Sequence, residues 1–304
     1  MNGSRVPLTH RAESPFEDFE AFDIHTSATI IHGVRGGDGP PILLLHGIPE
    51  THLMWHRVAP DLAKRFTVVA TDLRGYGSSS APPSTPDHAP YSMREIARDQ
   101  IEVMDALGYD KFSTVGHDRG GRCAYRMALD HAEAILRLAV LDVVPTGDVF
   151  SRADKDFSLG FWVWSFLAAP EPIPEELVAG APDSSSTTCS TRGLKYLVPF
   201  RMKSAPSTSP SSGTGIRSTR YARNIALRRH STHQHDEDDR GTRRIASPVL
   251  ALWSHSGALA DWYDPLEIWR SWADDVQGGP IPAGHFLPEE APEETTRHLL
   301  EFLG

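Results

Sequence analysis

A short apolar run at residues 112–115 leads directly into the sequence Gly-His-Asp-Arg-Gly-Gly at residues 116–121. The Gly-x-Asp-x-Gly spacing is typical of a sharp turn between a strand and a helix, which exposes its central residue. Glycines allow the strained backbone and the close approach of neighbouring segments that such a turn needs. We therefore expect a strand, a tight turn with Asp118 at its tip, and the start of a helix.

The residue at the tip of this turn predicts the chemistry. An aspartate has a pKa of about 3.9 in model peptides, so it is already an anion at neutral pH, whereas a serine there would need a base. An anionic carboxylate suits displacement at an sp³ carbon better than attack on an ester carbonyl. Asp118 therefore favours cleavage of a carbon–halogen bond or an epoxide carbon–oxygen bond. The alternative is a turn aspartate that only caps the following helix.

Short apolar runs alternate with helical patterns along the chain. The runs with the composition of buried strands are residues 42–45, 67–70, 112–115, 138–141 and 249–253, and residues 93–107 have apolar side chains at helical spacing. This alternation predicts an α/β fold with a mostly parallel sheet covered on both faces. Because functional groups gather at the carboxyl ends of such strands, His46, Asp118 and Asp142 are candidate site residues.

The alternation breaks between about residues 144 and 247. We expect an α/β-hydrolase core in two parts, residues 1–143 and 248–304, with a helical cap inserted between them. Inside the cap region, residues 184–235 contain no Asp or Glu, nine Lys or Arg and 18 Ser or Thr, without an amphipathic helical pattern.

Three interpretations of residues 184–235 are open. The stretch could be a flexible basic arm for an anionic partner, a low-complexity loop, or a segment scrambled by a pair of compensating frameshifts. We favour the frameshifts because the α/β pattern resumes on both sides. Reading the coding DNA in the other two frames tests this, and the interpretation fails if neither frame restores an amphipathic pattern.

Composition narrows the class of protein. The formal net charge of −10 argues against nucleic acid or an anionic membrane as the main partner. Cys123 and Cys189 are too few for a disulfide framework. The chain has no run of about 18 apolar residues and no apolar segment near its start, so we expect a cytoplasmic enzyme.

A base and an acid complete the predicted catalytic set. His285 follows a short strand-like segment near the end of the chain, in the order nucleophile, acid, histidine that this fold uses. It would activate the water that hydrolyses an ester on Asp118. The acid that orients the histidine is predicted to be Asp142, with Asp261 and Asp264 as alternatives.

Backbone and side-chain donors near Asp118 predict how a substrate is held. The amides of Ile48 and Arg119 would face the developing negative charge, while the His46 side chain suits a structural role. Arg119 and Arg122 are three residues apart on the predicted helix and can share a face. A pair of arginines beside a nucleophile suits a small carboxylic acid, and a surface salt bridge is the alternative.

Four motifs together resemble the haloacetate dehalogenases, including fluoroacetate dehalogenases. They are His-Gly-Ile-Pro-Glu-Thr-His-Leu-Met-Trp at residues 46–55, Asp-Leu-Arg-Gly-Tyr-Gly-Ser at 72–78, Gly-His-Asp-Arg-Gly-Gly-Arg at 116–122 and Gly-His-Phe-Leu-Pro-Glu-Glu at 284–290. The first two are shared with epoxide hydrolases and haloalkane dehalogenases, whereas Asp-Arg-x-x-Arg is more specific. The resemblance covers roughly residues 15–183 and 236–304.

The resemblance implies a role for each matching residue. Asp118 would be the nucleophile, Asp142 the acid and His285 the base, while Arg119 and Arg122 hold the carboxylate of a small halo-carboxylate substrate. It implies no cofactor and no metal, and it suggests a homodimer. A zinc site formed by the cap histidines, which are His230, His233 and His235, is not favoured.

The cap departs from the family pattern. Trp164 matches a tryptophan whose indole N–H donates to the departing halide. The preceding position is a histidine in fluoride-cleaving members and is Val163 here, so one donor to fluoride is lost. The matching tyrosine would fall in residues 184–235, where Tyr221 has no assigned role. An epoxide hydrolase using the same triad and a catalytically impaired homologue are the alternative functions.

Overall fold

The computed structural model describes residues 16–85, 87–160, six positions between 162 and 177, and residues 228–304. The strands in this part of the chain are β1 (Glu20–His25), β2 (Ile30–Gly36), β3 (Pro41–Leu45), β4 (Thr67–Thr71), β5 (Phe112–His117), β6 (Ile135–Leu141), β7 (Val249–Ser254) and β8 (Val276–Ile281). The helices are α1 (Ala59–Leu62), α2 (Met93–Ala106), α3 (Arg119–Asp130), α4 (Thr146–Ser151), α5 (Lys155–Gly160), α6 (Arg228–Asp239), α7 (Ala258–Trp262), α8 (Pro265–Trp272), α9 (Leu287–Glu290) and α10 (Pro292–Leu303), with 3₁₀ turns at His52–Arg57 and Ala89–Tyr91. Among these helices we find none that is long and apolar enough to cross a membrane.

The strands form one sheet in the order β1-β2-β4-β3-β5-β6-β7-β8. β1 and β2 pair antiparallel, as do β2 and β4, and every neighbouring pair from β4 to β8 is parallel. The prediction of a mostly parallel sheet is therefore confirmed. Since the carboxyl ends of β3, β5, β6 and β7 lie along one edge, the residues that follow these strands are brought together there.

Apolar side chains cover both faces of the sheet. On β3, Leu43 and Leu45 pack into a core with residues of α2, α3 and α8, whereas Ile42 and Leu44 pack into a second core with residues of α10. A strand buried on both faces reads as a continuous apolar run, which is why residues 42–45 predicted it. The two cores hold the central strands rigidly and so fix the edge that carries the candidate site.

β1 and β2 are the strands that sequence patterns did not predict. β1 lies at the edge of the sheet, and its residues are exposed or only half-buried. β2 contains two glycines and a histidine within seven residues. Neither segment has the apolar run or the regular alternation that predicts a strand, because neighbouring strands rather than intrinsic preference place them in the sheet.

Helix α6 begins inside residues 184–235, where we expected no helical pattern. Its inward-facing carboxylates, Asp236 and Asp239, are 0% and 6% exposed and form ion pairs with the buried Arg126 of α3. The helix therefore packs on the core through charged side chains, and hydrophobic periodicity cannot predict such a face. The remainder of the stretch, residues 184–227, lies outside the described residues.

Candidate active site

Asp118 lies at the tip of the turn between β5 and α3 with φ 45° and ψ −107°. Such backbone angles are strained for a residue other than glycine and occur mainly at functional sites. A Cβ atom on Gly116 would lie 2.3 Å from the Gly120 carbonyl oxygen, and one on Gly120 would lie 2.2 Å from the Leu45 carbonyl oxygen. The glycines are therefore needed because the turn packs directly against neighbouring backbone.

The Asp118 carboxylate is held as an anion. Its Oδ1 atom accepts a hydrogen bond of 3.1 Å from the backbone N–H of Ile48. Burial alone would raise the pKa of Asp118. The charge that the His285 ring carries when protonated, the charges of Arg122 and His117 and the Ile48 hydrogen bond together lower it below its usual range. The carboxylate is thus ionised, and the Ile48 amide, one of the two amides expected near it from the sequence, donates a hydrogen bond to it.

His285 and Asp142 form a hydrogen-bonded pair. His285 Nδ1 donates to Asp142 Oδ2 over 2.6 Å, and Asp142 Oδ1 accepts from the Ser254 backbone N–H over 3.0 Å. Asp142 itself has a positive φ of 49°, which turns its side chain at the end of β6. Because Nδ1 carries the proton of the neutral ring, Nε2 is left able to accept one.

The two alternative acids lie elsewhere. Asp264 caps helix α8, where its carboxylate accepts from the Glu267 backbone N–H over 3.0 Å. Asp261 is an exposed residue of α7. Among the described residues, Asp142 is the carboxylate bonded to the His285 ring.

Sequence patterns did not predict a second buried pair, which lies behind the elbow, the turn at residues 116–121 between β5 and α3. His117 Nδ1 donates to Glu50 Oε2 over 2.9 Å, and its Nε2 donates to the His285 carbonyl oxygen over 2.7 Å. Burial lowers the pKa of His117, but the negative charge of Glu50 and its hydrogen bond, followed by the charges of Asp118 and Asp142, raise it to about 9. The ring is therefore an imidazolium. The position of His117 next to Asp118 is the only local sequence signal for this pair. Glu50 is 67 residues away, and no sequence pattern links the two residues.

Arg119 and Arg122 begin the elbow helix and are both buried, at 5% and 9% exposure. Burial lowers the pKa of Arg122 from its ordinary value, although the charge of Asp118 acts against this. Arg122 Nη1 donates to Thr146 Oγ1 over 2.5 Å. The Nε and Nη2 atoms of Arg119 are buried and have no hydrogen-bond partner among the described residues. Buried guanidinium N–H groups without acceptors need an explanation, and a bound ligand, an ion or water would each supply the acceptors.

His46 is completely buried behind the site. Its Nδ1 donates to the Gly47 carbonyl oxygen over 2.8 Å, and its Nε2 accepts from the Leu73 backbone N–H over 3.0 Å. Burial lowers the pKa of His46, so the ring is neutral. With both ring nitrogens bonded to backbone, the side chain has a structural role and has no nitrogen left for a substrate.

Several predicted residues lie outside the described part of the chain. They are Val163, Trp164 and Tyr221, so the cap side of the site is not described. The cap histidines belong to α6 from His230 onward, and no group of three or more His, Cys, Asp or Glu among the described residues could hold a metal ion.

Known proteins resemble this chain over most of its length. A family model of the alpha/beta hydrolase fold matches residues 40–292. A fluoroacetate dehalogenase of Burkholderia sp is 38% identical over 298 residues, covering 95% of each chain. A soluble epoxide hydrolase of Corynebacterium sp. (strain C12) is 31% identical over 291 residues, covering 90% of this chain and 93% of that protein. A solved structure from Nostoc sp PCC 7120, described with the same fold name, has a TM-score of 0.82 at 40% identity and covers 95% of this chain and 99% of its own. The similarity therefore includes both parts of the core.

Proposed function

Because this chain belongs to the alpha/beta hydrolase family, we propose that it hydrolyses the carbon–halogen bond of a small 2-haloacid. A haloacetate would be converted to glycolate and halide through an ester on Asp118. The similar Burkholderia protein is a fluoroacetate dehalogenase, which supports this reaction class. No cofactor enters the proposal, since the ionised carboxylate is itself the nucleophile.

The observation that carries the proposal is the buried guanidinium of Arg119, the residue that follows Asp118 in the chain. Two of its nitrogens have no acceptor among the described residues, and burial makes an unpaired charged donor costly. A substrate carboxylate supplies two oxygens that match the planar donors of an arginine. Binding by Arg119 and Arg122 would place the α-carbon of the acid against the Asp118 carboxylate.

The first half of the reaction is a displacement. One Asp118 oxygen forms a bond to the α-carbon of the haloacid, and the carbon–halogen bond breaks so that the halide leaves with the bonding electron pair. The Ile48 N–H, 3.1 Å from Asp118 Oδ1, orients the attacking carboxylate. It also remains beside the carbonyl oxygen of the resulting ester, where negative charge develops next.

The second half of the reaction is hydrolysis of the ester. His285 Nε2 takes a proton from water as the oxygen bonds to the Asp118 side-chain carbonyl carbon, and Asp142 stabilises the imidazolium. The tetrahedral adduct then releases glycolate, whose oxygen receives the proton from His285. Asp118 is regenerated with one oxygen from water, and the proton of its new hydroxyl group leaves to solvent.

Epoxide hydrolysis by the same ester chemistry is the second candidate. The Corynebacterium relative, a soluble epoxide hydrolase, favours it. A neutral epoxide offers the buried donors of Arg119 a single oxygen and no negative charge, whereas a carboxylate offers two charged oxygens. The arginines therefore favour a haloacid over an epoxide.

The test is to incubate the protein with chloroacetate, bromoacetate, fluoroacetate and styrene oxide and to measure halide or diol release. We expect halide release from at least the chloro and bromo acids and no diol. An Asp118→Asn variant should release none, with its mass checked to exclude deamidation. Diol formation without halide would favour the epoxide reaction, and a folded protein that converts no substrate would contradict both.

A further inference from the structure

We propose that Asp236 of helix α6, acting through Tyr125 and Thr146, is a positioning residue that fixes the Arg122 guanidinium for a carboxylate substrate. This inference rests on the proposed function, because it assigns Arg122 to substrate binding. Asp236 is the first acidic residue after the acid-free residues 184–235. Helix α6, which begins inside that stretch at Arg228, would thereby set the specificity of the site.

The positioning network runs through three side chains. Arg122 Nη1 donates to Thr146 Oγ1 over 2.5 Å. The Thr146 backbone N–H donates to the Tyr125 hydroxyl over 3.2 Å, and that hydroxyl donates to Asp236 Oδ2 over 2.8 Å. Each group therefore fixes the next, from the carboxylate on α6 to the guanidinium on α3.

Asp236 also holds the start of helix α4 directly. Its Oδ2 atom accepts from the Gly147 backbone N–H over 2.9 Å, next to Thr146 in the chain. Thr146 is thus held at its own N–H by Tyr125 and at the following N–H by Asp236. These two hydrogen bonds fix the position of the Thr146 hydroxyl at the start of α4.

The charge of Asp236 is balanced inside the protein. Its Oδ1 atom accepts from Arg126 Nη2 over 2.8 Å, and both side chains are fully buried. Arg126 lies one turn after Arg122 on α3. Because a buried carboxylate with a fixed partner does not reorient easily, it is a rigid anchor for the network.

This rigidity matters for one class of substrate. A guanidinium on a long side chain has several rotamers, and fixing it before binding avoids part of the entropy cost of binding a carboxylate. A substrate without a carboxylate makes no use of Arg122 and gains nothing from the network. Loss of the network should therefore weaken the binding of carboxylate substrates selectively and leave the activity on uncharged substrates nearly unchanged.

The experiment compares chloroacetate with chloroacetamide, which has the same α-carbon and leaving group but no charge. We expect Thr146→Val and Tyr125→Phe each to raise KM for chloroacetate about tenfold, with kcat and the chloroacetamide kinetics nearly unchanged. Thr146→Ser keeps the hydroxyl and should restore KM. Asp236→Asn, which keeps the shape but not the charge, should act in the same direction as Tyr125→Phe.

Thr114 provides the matched control. It is a fully buried threonine of β5 whose Oγ1 has no hydrogen-bond partner among the described residues. Thr114→Val makes the same chemical change and should leave both substrates unaffected. Equal losses on acid and amide, or an unchanged KM in Thr146→Val, would overturn the inference.

A binding measurement separates this inference from the proposed function. Glycolate is titrated calorimetrically into the wild type and Thr146→Val. If the wild type converts no chloroacetate, the proposed function fails, yet weaker glycolate binding by Thr146→Val would still support the network. Equal binding by the two proteins, or no glycolate binding by the wild type, would overturn it.

Discussion

His117 donates from Nε2 to the backbone carbonyl oxygen of His285 over 2.7 Å and so ties the elbow to a loop 168 residues later in the chain. The other ring nitrogen bonds to Glu50, which keeps the ring charged. The two histidine rings lie close, with centroids 4.6 Å apart. The residue before the proposed nucleophile thus fixes the backbone of the proposed base.

The charge on His117 predicts how stability depends on pH. Its pKa is about 9 in the folded protein against an ordinary value of 6.5, so the folded state binds the proton more tightly. The resulting stabilisation is complete below about pH 6.5 and is lost as the pH rises through about 9. Urea unfolding at about pH 7 and about pH 9.5 should show a fall in stability that is smaller in His117→Gln.

Glu289 explains why this comparison starts at neutral pH. Burial and the charge of Glu50 raise the pKa of Glu289 to about 7, so its own effect on stability occurs mainly between its ordinary value of 4.5 and 7. The difference between the wild type and His117→Gln above pH 7 therefore reports on His117. An identical fall in the wild type and in His117→Gln would show that the imidazolium contributes nothing.

Replacing His285 should separate the two halves of the proposed reaction. In a His285→Gln variant, Asp118 keeps its charge and its Ile48 hydrogen bond, so displacement of chloride still occurs. Hydrolysis lacks its base, and the ester accumulates. Intact-mass measurement after incubation with chloroacetate should show one added carboxymethyl group on Asp118. The double variant with Asp118→Asn is the control, and an unmodified single variant that still releases chloride catalytically would contradict the assignment.

Local sequence patterns predict the central strands, helix α2 and the turn that carries Asp118. The central strands are continuous apolar runs because both of their faces are buried, and α2 was predicted at residues 93–107 and spans Met93–Ala106. The glycine spacing around Asp118 predicts the turn that carries it, because the turn packs against backbone that leaves no room for a side chain at Gly116 or Gly120. These features depend on residues that are adjacent in the chain.

Other features depend on partners far apart in the chain. Glu50 and His117 form a pair only because β3 and β5 are neighbours in the sheet. Asp236 is buried only because Arg126 lies opposite it, 110 residues earlier. A buried charge has no periodic signal, so sequence pattern alone leaves such residues looking like solvent-exposed ones.

The elbow should not tolerate a side chain at Gly116. The methyl group of Gly116→Ala would lie 2.3 Å from the Gly120 carbonyl oxygen and beside its carbonyl carbon. The backbone at Gly120 cannot move away from this methyl group without displacing Asp118. We therefore expect insoluble protein or a large fall in melting temperature. Gly279→Ala on β8 is the control, because a Cβ there meets nothing within 4 Å. Similar melting temperatures for the two variants would contradict the steric argument.

Arg119→Lys should weaken binding of haloacids while the protein stays folded and positively charged at this position. Lysine cannot present two parallel donors to a carboxylate. The Nε and Nη2 atoms of Arg119, which have no partner in the described part of the chain, are the donors that would be lost. One charge-assisted hydrogen bond contributes about 1.5–3 kcal/mol, so KM for chloroacetate should rise roughly 10- to 100-fold. Steady-state chloride release measures this, and circular dichroism checks the fold. Arg119→Lys removes these donors and keeps the positive charge. An unchanged KM would therefore mean that the substrate carboxylate binds elsewhere.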